Sequence, residues 1–283
     1  MNYRHAFHAG NFADVAKHLI VTRIVEYLKL KDAAFRVIDT HAGIGRYDLT
    51  GDEAKRSPEW QEGIQKLFNK GLPDAAKALA QPYLDVVHGE NRKGNALVAY
   101  PGSPLLVRRL MRPQDRLSAI ELHPKDAETL GGLFAGDIQV RVIELDGYLA
   151  LGAHVPPKEK RGLVLVDPPF EEAGEFERMV EGLVKAHKRW PGGTYALWYP
   201  VKEPREVNAF IADLKATGIG KILRAELTIA APAVPSRLYG TGMIIVNPPF
   251  VLEDELKVLL PALAKLLADD GKGGYRLEWL RGE

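Results

Sequence analysis

Gly162-Leu163-Val164-Leu165-Val166 is an unbroken apolar run that ends abruptly in Asp167-Pro168-Pro169-Phe170. A strand with one face in water alternates apolar and polar side chains. An unbroken run has no wet face, so it reads as a strand buried on both sides. Burial on both sides calls for a mostly parallel sheet with helices above and below it. The two prolines lack an N–H and cannot continue the ladder.

The rest of the chain reads in the same terms. Asn11 caps a helix running to about Leu30, with Ala13, Ala16, Leu19, Ile20, Ile24, Tyr27 and Leu28 at helical spacing. Phe35 to Asp39 is a short strand leading into His41-Ala42-Gly43-Ile44-Gly45. Residues 48–102 are polar, helix-favouring and broken by Pro58, Gly71-Leu72-Pro73 and Gly94, which predicts a helical insertion within the domain. Strands follow at Arg116–Glu121, Gln139–Leu145, Gly162–Val166 and Thr194–Tyr199, then at Lys221–Ile229 and Gly242–Val246 as an antiparallel pair. Helices fall at Pro124–Phe134, Gly147–Leu151, Phe176–Lys188 and Glu203–Thr217. The 283 residues suit one large α/β domain or two small ones, and this alternation favours a single domain over residues 1–283.

Composition removes whole classes of chemistry. With no cysteine there is no disulfide framework, no cysteine zinc site and no thiolate nucleophile. Methylation at C5 of a pyrimidine, which starts with such a thiolate, is thereby excluded, and so is the zinc deaminase pattern. His5 and His8 have no clear partners to complete a metal site, so no metal is expected. No run is long and apolar enough for a bilayer and the start lacks a secretory stretch, so a cytoplasmic location without membrane contact is expected; a monomer is expected. The net charge of +1 is not that of a protein coating nucleic acid. A local basic face would suffice, and Arg92, Lys93, Arg108, Arg109, Arg112 and Arg116 supply a candidate that reads equally as solvated surface.

Asp39, Gly43 and Gly45 form a glycine loop at the mouth of the sheet, where backbone approaches a ligand closely. The third glycine of the dinucleotide fingerprint would fall at Asp48, so the loop suits a nucleoside cofactor without a pyrophosphate, namely S-adenosylmethionine. Glu121 ends the next strand, where a carboxylate accepts from ribose hydroxyls, and Asp146-Gly147 ends the one after, placed for an adenine amino group. Each acid could instead cap the helix that follows it. Acids at successive strand ends line one crevice.

Asp167-Pro168-Pro169-Phe170 carries the chemistry. An exocyclic amine delocalises its lone pair into the ring and is a poor nucleophile. Accepting hydrogen bonds from both its N–H groups, one at Asp167 and one at the Pro168 carbonyl, favours a more tetrahedral nitrogen with an available lone pair. Phe170 offers a face on which an extruded base stacks. Asn247-Pro248-Pro249-Phe250 echoes the tetrapeptide, but it follows what reads as the last strand, away from the switch point.

Longer motifs sharpen this reading. They are Tyr3-Arg4-His5-Ala6-Phe7-His8-Ala9-Gly10-Asn11, Asp39-Thr40-His41-Ala42-Gly43-Ile44-Gly45-Arg46-Tyr47, Tyr100-Pro101-Gly102-Ser103-Pro104, Glu121-Leu122-His123-Pro124, Asp167-Pro168-Pro169 and Tyr195-Ala196-Leu197-Trp198-Tyr199-Pro200. Together they closely resemble the RlmJ family of bacterial 23S ribosomal RNA adenine-N6 methyltransferases, over essentially the whole chain. The resemblance implies a class I, Rossmann-like methyltransferase fold with a seven-stranded sheet, and one adenine of 23S ribosomal RNA as substrate. It implies that His18, His41, Ser103, Glu121, Asp146 and Gly147 meet the cofactor, beside Gly43 of the loop, and that Asp167, also expected against the cofactor, is the catalytic acceptor. Tyr3, His5 and Lys17 would belong to an N-terminal segment that covers the site and meets the RNA, with Pro168 and Phe170 against the base. Family members often carry Tyr where this chain has Phe170, a change that keeps stacking and removes a hydroxyl. Alternatives to this reading are a methyltransferase acting on DNA adenine or on protein, a non-catalytic RNA-binding protein of the same fold, and a nicotinamide oxidoreductase.

Overall fold

The computed structural model describes residues 5–91, 96–232, 237–268 and 271–282. Among the described residues the strands are β1 (Arg36–Asp39), β2 (Arg46–Asp48), β3 (Ala99–Pro101), β4 (Arg116–Glu121), β5 (Val140–Glu144), β6 (Gly162–Val166), β7 (Thr194–Val201), β8 (Ile222–Thr228), β9 (Gly240–Val246) and β10 (Gly274–Arg281). The helices are α1 (Phe12–Lys29), α2 (Asp52–Arg56), α3 (Ile64–Lys70), α4 (Asp74–Glu90), α5 (Ser103–Leu110), α6 (Pro124–Leu133), α7 (Gly147–Ala153), α8 (Glu175–Arg189), α9 (Pro204–Ala216) and α10 (Leu252–Leu267).

Eight strands make one sheet in the order β10-β8-β9-β7-β6-β1-β4-β5, and β2 pairs with β3 in a separate ribbon. Strands β5, β4, β1, β6 and β7 run parallel, whereas β9 is antiparallel to both β7 and β8. The chain steps from β1 outward through β4 to β5, returns to β6 beside β1, and continues the other way to β7. The strand order therefore reverses between β1 and β6, and the crevice at their carboxyl ends is where such sheets bind ligands. Set aside β10 and the remaining seven strands have the class I methyltransferase arrangement. The eighth strand departs from the seven expected. β10 pairs antiparallel with β8, and its charged Arg276, Glu278 and Arg281 guard the exposed edge.

The strand period of two builds two cores. Leu163 and Leu165 of β6 face a cluster formed with α1, α5 and α10, while Val164 and Val166 face another formed with α8 and α9. β1 divides in the same way, with Val37 to the first and Ile38 to the second. All four β6 side chains are within 1% of full burial, each stabilising the fold by about 1.5–3 kcal/mol. Helix α8 shows the matching pattern, burying Met179, Leu183 and Ala186 at spacings of four and three, with acids in its first turn and bases in its last.

Helix α1 opens where Asn11 Oδ1 accepts the Ala13 and Asp14 N–H groups, each at 2.9 Å. It is buried nearly all round, because the sheet covers one side and the residues between β2 and β3 cover the other. Those residues hold α2, α3 and α4, and Ile64, Leu67, Ala80, Tyr83 and Val87 join the same cluster as α1. Glu59 fastens this region to the start of α1, with one oxygen 2.9 Å from His8 Nδ1 and the other accepting from Asn11 Nδ2 at 3.0 Å. Among the described residues no helix is long and apolar enough to cross a membrane.

Candidate active site

The glycine loop after β1 is pinned on three sides. The Ala42 N–H donates to the Ile120 carbonyl at 2.8 Å, the Gly43 N–H to Glu121 Oε2 at 2.8 Å, and the Gly45 carbonyl accepts from the Gly102 N–H at 2.8 Å. Gly43 and Gly45 sit at φ +61° and +78°, in the left-handed region that side chains disfavour. Glu121 also accepts the His123 N–H at 2.8 Å on its other oxygen. Burial raises its carboxyl above the ordinary range, opposed by these backbone donors. Each oxygen still has a lone pair for a hydroxyl.

Asp146 caps α7, with Oδ1 accepting from Tyr148 N at 2.7 Å and Leu149 N at 3.0 Å. Both bonds use one oxygen, which leaves Oδ2 free among the described residues. Gly147 lies against the loop, and a Cβ there would overlap the Thr40 carbonyl and come within 2.8 Å of the His41 ring. The Thr40 hydroxyl donates to the Leu165 carbonyl at 2.9 Å and lies 2.8 Å from His41 Nδ1. Burial pushes the His41 pKa down to about 4, against the pull of Asp167 and Asp146, so the ring is neutral near pH 7. The Ser103 hydroxyl donates to Asp39 Oδ2 at 2.6 Å. These residues gather at the carboxyl ends of β1, β4, β5 and β6. They fit a nucleoside cofactor: a backbone cradle that admits no extra carbon, and two carboxylates with spare lone pairs at neighbouring strand ends.

Asp39 adds a pH dependence. Burial pushes its carboxyl up to about 7, with Asp167 adding to the rise and Ser103, the His41 N–H and Lys17 opposing it. The native state therefore holds a proton that the unfolded chain has released, and stability falls as pH climbs from about 4 to 7. Asp39→Asn is expected to remove that slope, at most about 1.4 kcal/mol per pH unit, and to be more stable than the parent at pH 8. Urea unfolding of both proteins across pH 5–8 reads this directly; an unchanged slope in Asp39→Asn would refute it.

Asp167 stands at the end of β6, in line with Trp198 across the β6–β7 register that pairs Val166 with Leu197. Its Oδ2 is 2.5 Å from Lys17 Nζ, and the same ammonium is 2.8 Å from Asp14 Oδ1 and 5.8 Å from the centre of the Trp198 ring. Asp14 Oδ2 in turn accepts the Gly10 N–H and lies 2.9 Å from His5 Nε2. Burial opposes ionisation of both Asp14 and Lys17. At Asp14 the attraction of His5, and after it of Lys17, overcomes this; at Lys17 it is Asp14 and then Asp167, so the acid sits well below its ordinary range and the base above.

Three of the expected contact residues are placed as follows. Lys17 is not displayed to a large ligand: its side chain is 4% exposed and lies between two carboxylates. His18 is packed away, stacked on Tyr100 at 5.5 Å with Nδ1 2.8 Å from the Tyr100 hydroxyl, and burial pushes its pKa down to about 3. Phe170 follows Pro168 and Pro169 at φ +51°, with its half-buried ring edge-on to Phe176 and Trp198 at 4.9 and 5.7 Å rather than standing clear. Tyr3, Arg92 and Lys93 lie outside the described residues.

The described arginines of the candidate basic face are engaged in structure. Arg108 pairs with Asp137, Arg109 with Glu90, and Arg112 with Asp115 and the carbonyls of Lys29, Lys31 and Ala33; Arg116 donates to the Pro113 and Asp115 carbonyls. The Asn247 echo is at the other end of the sheet. Its strand, β9, runs antiparallel, so Asn247 sits by Thr194 at the start of β7 and spends its amide on the Pro191 and Gly193 carbonyls. β9 is also not the last strand. Sequence reasoning assigned no role to Asp14 or Trp198, although Asp14-x-x-Lys17 set among Ala13, Val15, Ala16, Leu19 and Ile20 was a signal for the first.

Known proteins share this arrangement. The family profile described as "Ribosomal RNA large subunit methyltransferase D, RlmJ" matches residues 32–281. The chain is 42% identical over 280 residues to "Ribosomal RNA large subunit methyltransferase J" of Escherichia coli K12, covering 99% of both chains. It is 40% identical over 283 residues to the protein of that name from Haemophilus influenzae, covering 100% of both. A crystal structure of a Legionella pneumophila protein, 34% identical, superposes with a TM-score of 0.88 over 96% of this chain and 98% of that one. Identity at this level along the full length, on a sheet whose switch point carries the Asp-Pro-Pro turn and the glycine loop, shows that the chain belongs to the RlmJ family of large-subunit ribosomal RNA methyltransferases.

Proposed function

We infer that this protein transfers a methyl group from S-adenosylmethionine to N6 of one adenine in 23S ribosomal RNA. The observation that carries the reading is the Asp167 carboxylate at the switch point, one oxygen tied to Lys17, in the same crevice as Asp39, Glu121 and Asp146.

With Oδ2 held by Lys17, Oδ1 of Asp167 is left to accept one N–H of the substrate amine. The Pro168 carbonyl takes the other, its direction fixed by two successive proline rings. Both contacts favour a tetrahedral nitrogen and stabilise the positive charge that grows on it. When bound, the cofactor supplies an electrophilic methyl on a sulfonium. The nitrogen gains that methyl and sheds one proton, for which Asp167 is the adjacent acceptor. Trp198 and Phe170 give the crevice an aromatic wall beside Asp167. Asp146 Oδ2 and the lone pairs of Glu121 suit the amino group and ribose of the cofactor.

The test offers the purified protein tritiated S-adenosylmethionine with 23S RNA from a strain lacking the gene, duplex DNA, or total protein. Label is expected in the RNA, and nuclease mapping by mass should place it on one N6-methyladenosine. Label confined to DNA or protein would overturn the substrate assignment.

A further inference from the structure

Two charged side chains within one turn of α1 are almost wholly buried, Asp14 at 1% exposure and Lys17 at 4%. Such groups are expensive to bury unless they are paired and hydrogen-bonded. Asp14 is held from several directions. The Gly10 N–H and His5 Nε2 reach its Oδ2 at 2.9 Å, and Lys17 reaches its Oδ1 at 2.8 Å. Fixed in this way, Asp14 cannot follow the lysine, so it sets where the ammonium lies. The ammonium spans from Asp14 to Asp167, one positive charge shared by two carboxylates. His18 also acts on Asp14, and burial keeps it neutral; His8, Tyr83 and Tyr100 feel the Asp14 charge as well.

We propose that Asp14 is a positioning residue for methyl transfer, which draws the Lys17 ammonium partly to itself and so keeps Asp167 available to grip the substrate amine. This rests on the reading of Asp167 as the acceptor. Charges in a buried site are weakly screened, so the share of Lys17 taken by Asp14 matters. Without a charge at Asp14 the lysine belongs to Asp167 alone. A one-to-one pair is neutral, accepts more weakly from an N–H, and offsets less of the positive charge developing on the nitrogen. With Asp14 ionised, the three groups together carry one net negative charge, facing the place where positive charge grows.

Asp14→Asn tests this, because the amide oxygen still accepts the Gly10 N–H while the charge is gone and the NH2 turned toward Lys17 can only donate, so the lysine loses this partner. With 23S RNA as acceptor, kcat is expected to fall about 10- to 100-fold, within the range of a proton-transfer partner, while KM for S-adenosylmethionine changes less than about threefold. In a Lys17→Met background the same change should alter kcat less than about twofold, because a residue acting through Lys17 has nothing left to act on. A kcat for Asp14→Asn close to the parent's, or an equal loss in both backgrounds, overturns the proposal; the second is what a purely structural residue would give. Should Asp14→Asn alone not fold, the double variant is compared with Lys17→Met, where a further tenfold loss is the overturning result. Asp167→Asn is run alongside. If it remains active, the reading of the site fails; if it is dead while Asp14→Asn is normal, only the role of Asp14 fails.

Discussion

Asp167→Asn is expected to lower kcat for RNA methylation by about 10³- to 10⁴-fold, the loss that follows removal of a positioned proton acceptor together with its charge. The side chain keeps its shape, so the turn at Pro168 and Pro169 stays in place. An amide can accept one hydrogen bond, but it turns an NH2 group toward either the substrate amine or the Lys17 ammonium, and both of those are donors. Cofactor affinity should stay within a few-fold, since the Gly43 loop, Glu121 and Asp146 are not altered. Calorimetric titration with S-adenosylmethionine and single-turnover methylation, taken together, separate the two effects. A variant that lost cofactor binding and kept its rate when saturated would show that Asp167 serves the cofactor and not the amine.

Lys17→Met should produce the largest loss of stability of any single change in the crevice. It leaves Asp14 and Asp167, with side chains only 2% and 13% exposed, without the cation between them. Breaking a buried pair by removing one partner typically costs about 3–5 kcal/mol; here Asp14 keeps His5 and the Gly10 N–H, while Asp167 loses its ammonium. The pH dependence follows from Asp14. Its carboxyl lies well below the ordinary range, so the stabilisation it provides is complete above that range and is lost as pH falls through the folded-state value. In Lys17→Met that depression shrinks, and the rise in stability between acid and neutral pH should shrink with it. Urea unfolding at pH 3.5, 5 and 7 measures both. A variant that matches the parent at neutral pH would mean the buried ions contribute nothing net, as when hydrophobic replacement of a pair is neutral.

Several parts of this protein were legible one segment at a time. The unbroken run from Gly162 to Val166, the Asn11 cap and the acids at Asp39, Glu121, Asp146 and Asp167 are local signals, set by strand and helix periods and by what prolines and glycines permit. Helix α5 was hidden because Ser103-Pro104 reads as the end of a loop, yet proline in a first turn begins helices. Helix α10 was passed over although Leu252, Leu256, Leu259, Leu260, Leu263 and Leu267 repeat at helical spacing. β10 has a largely exposed pattern, with Leu277 and Leu280 only half-buried against the cores, so no regular core face announces it.

What the chain determined by itself was therefore most of the sheet's strands and flanking helices, the acids at strand ends and the turn that begins at Asp167. Only the folded chain decided which distant side chains meet. Lys17 and Asp167 are 150 residues apart and pair because α1 packs across the sheet beside β6. Nothing near Lys17 in sequence separates a lysine that reaches outward from one bridging two carboxylates in the interior. Periodicity is a property of neighbours along the backbone, whereas the partner of a buried charge is chosen by three-dimensional packing and by the cost of leaving that charge alone.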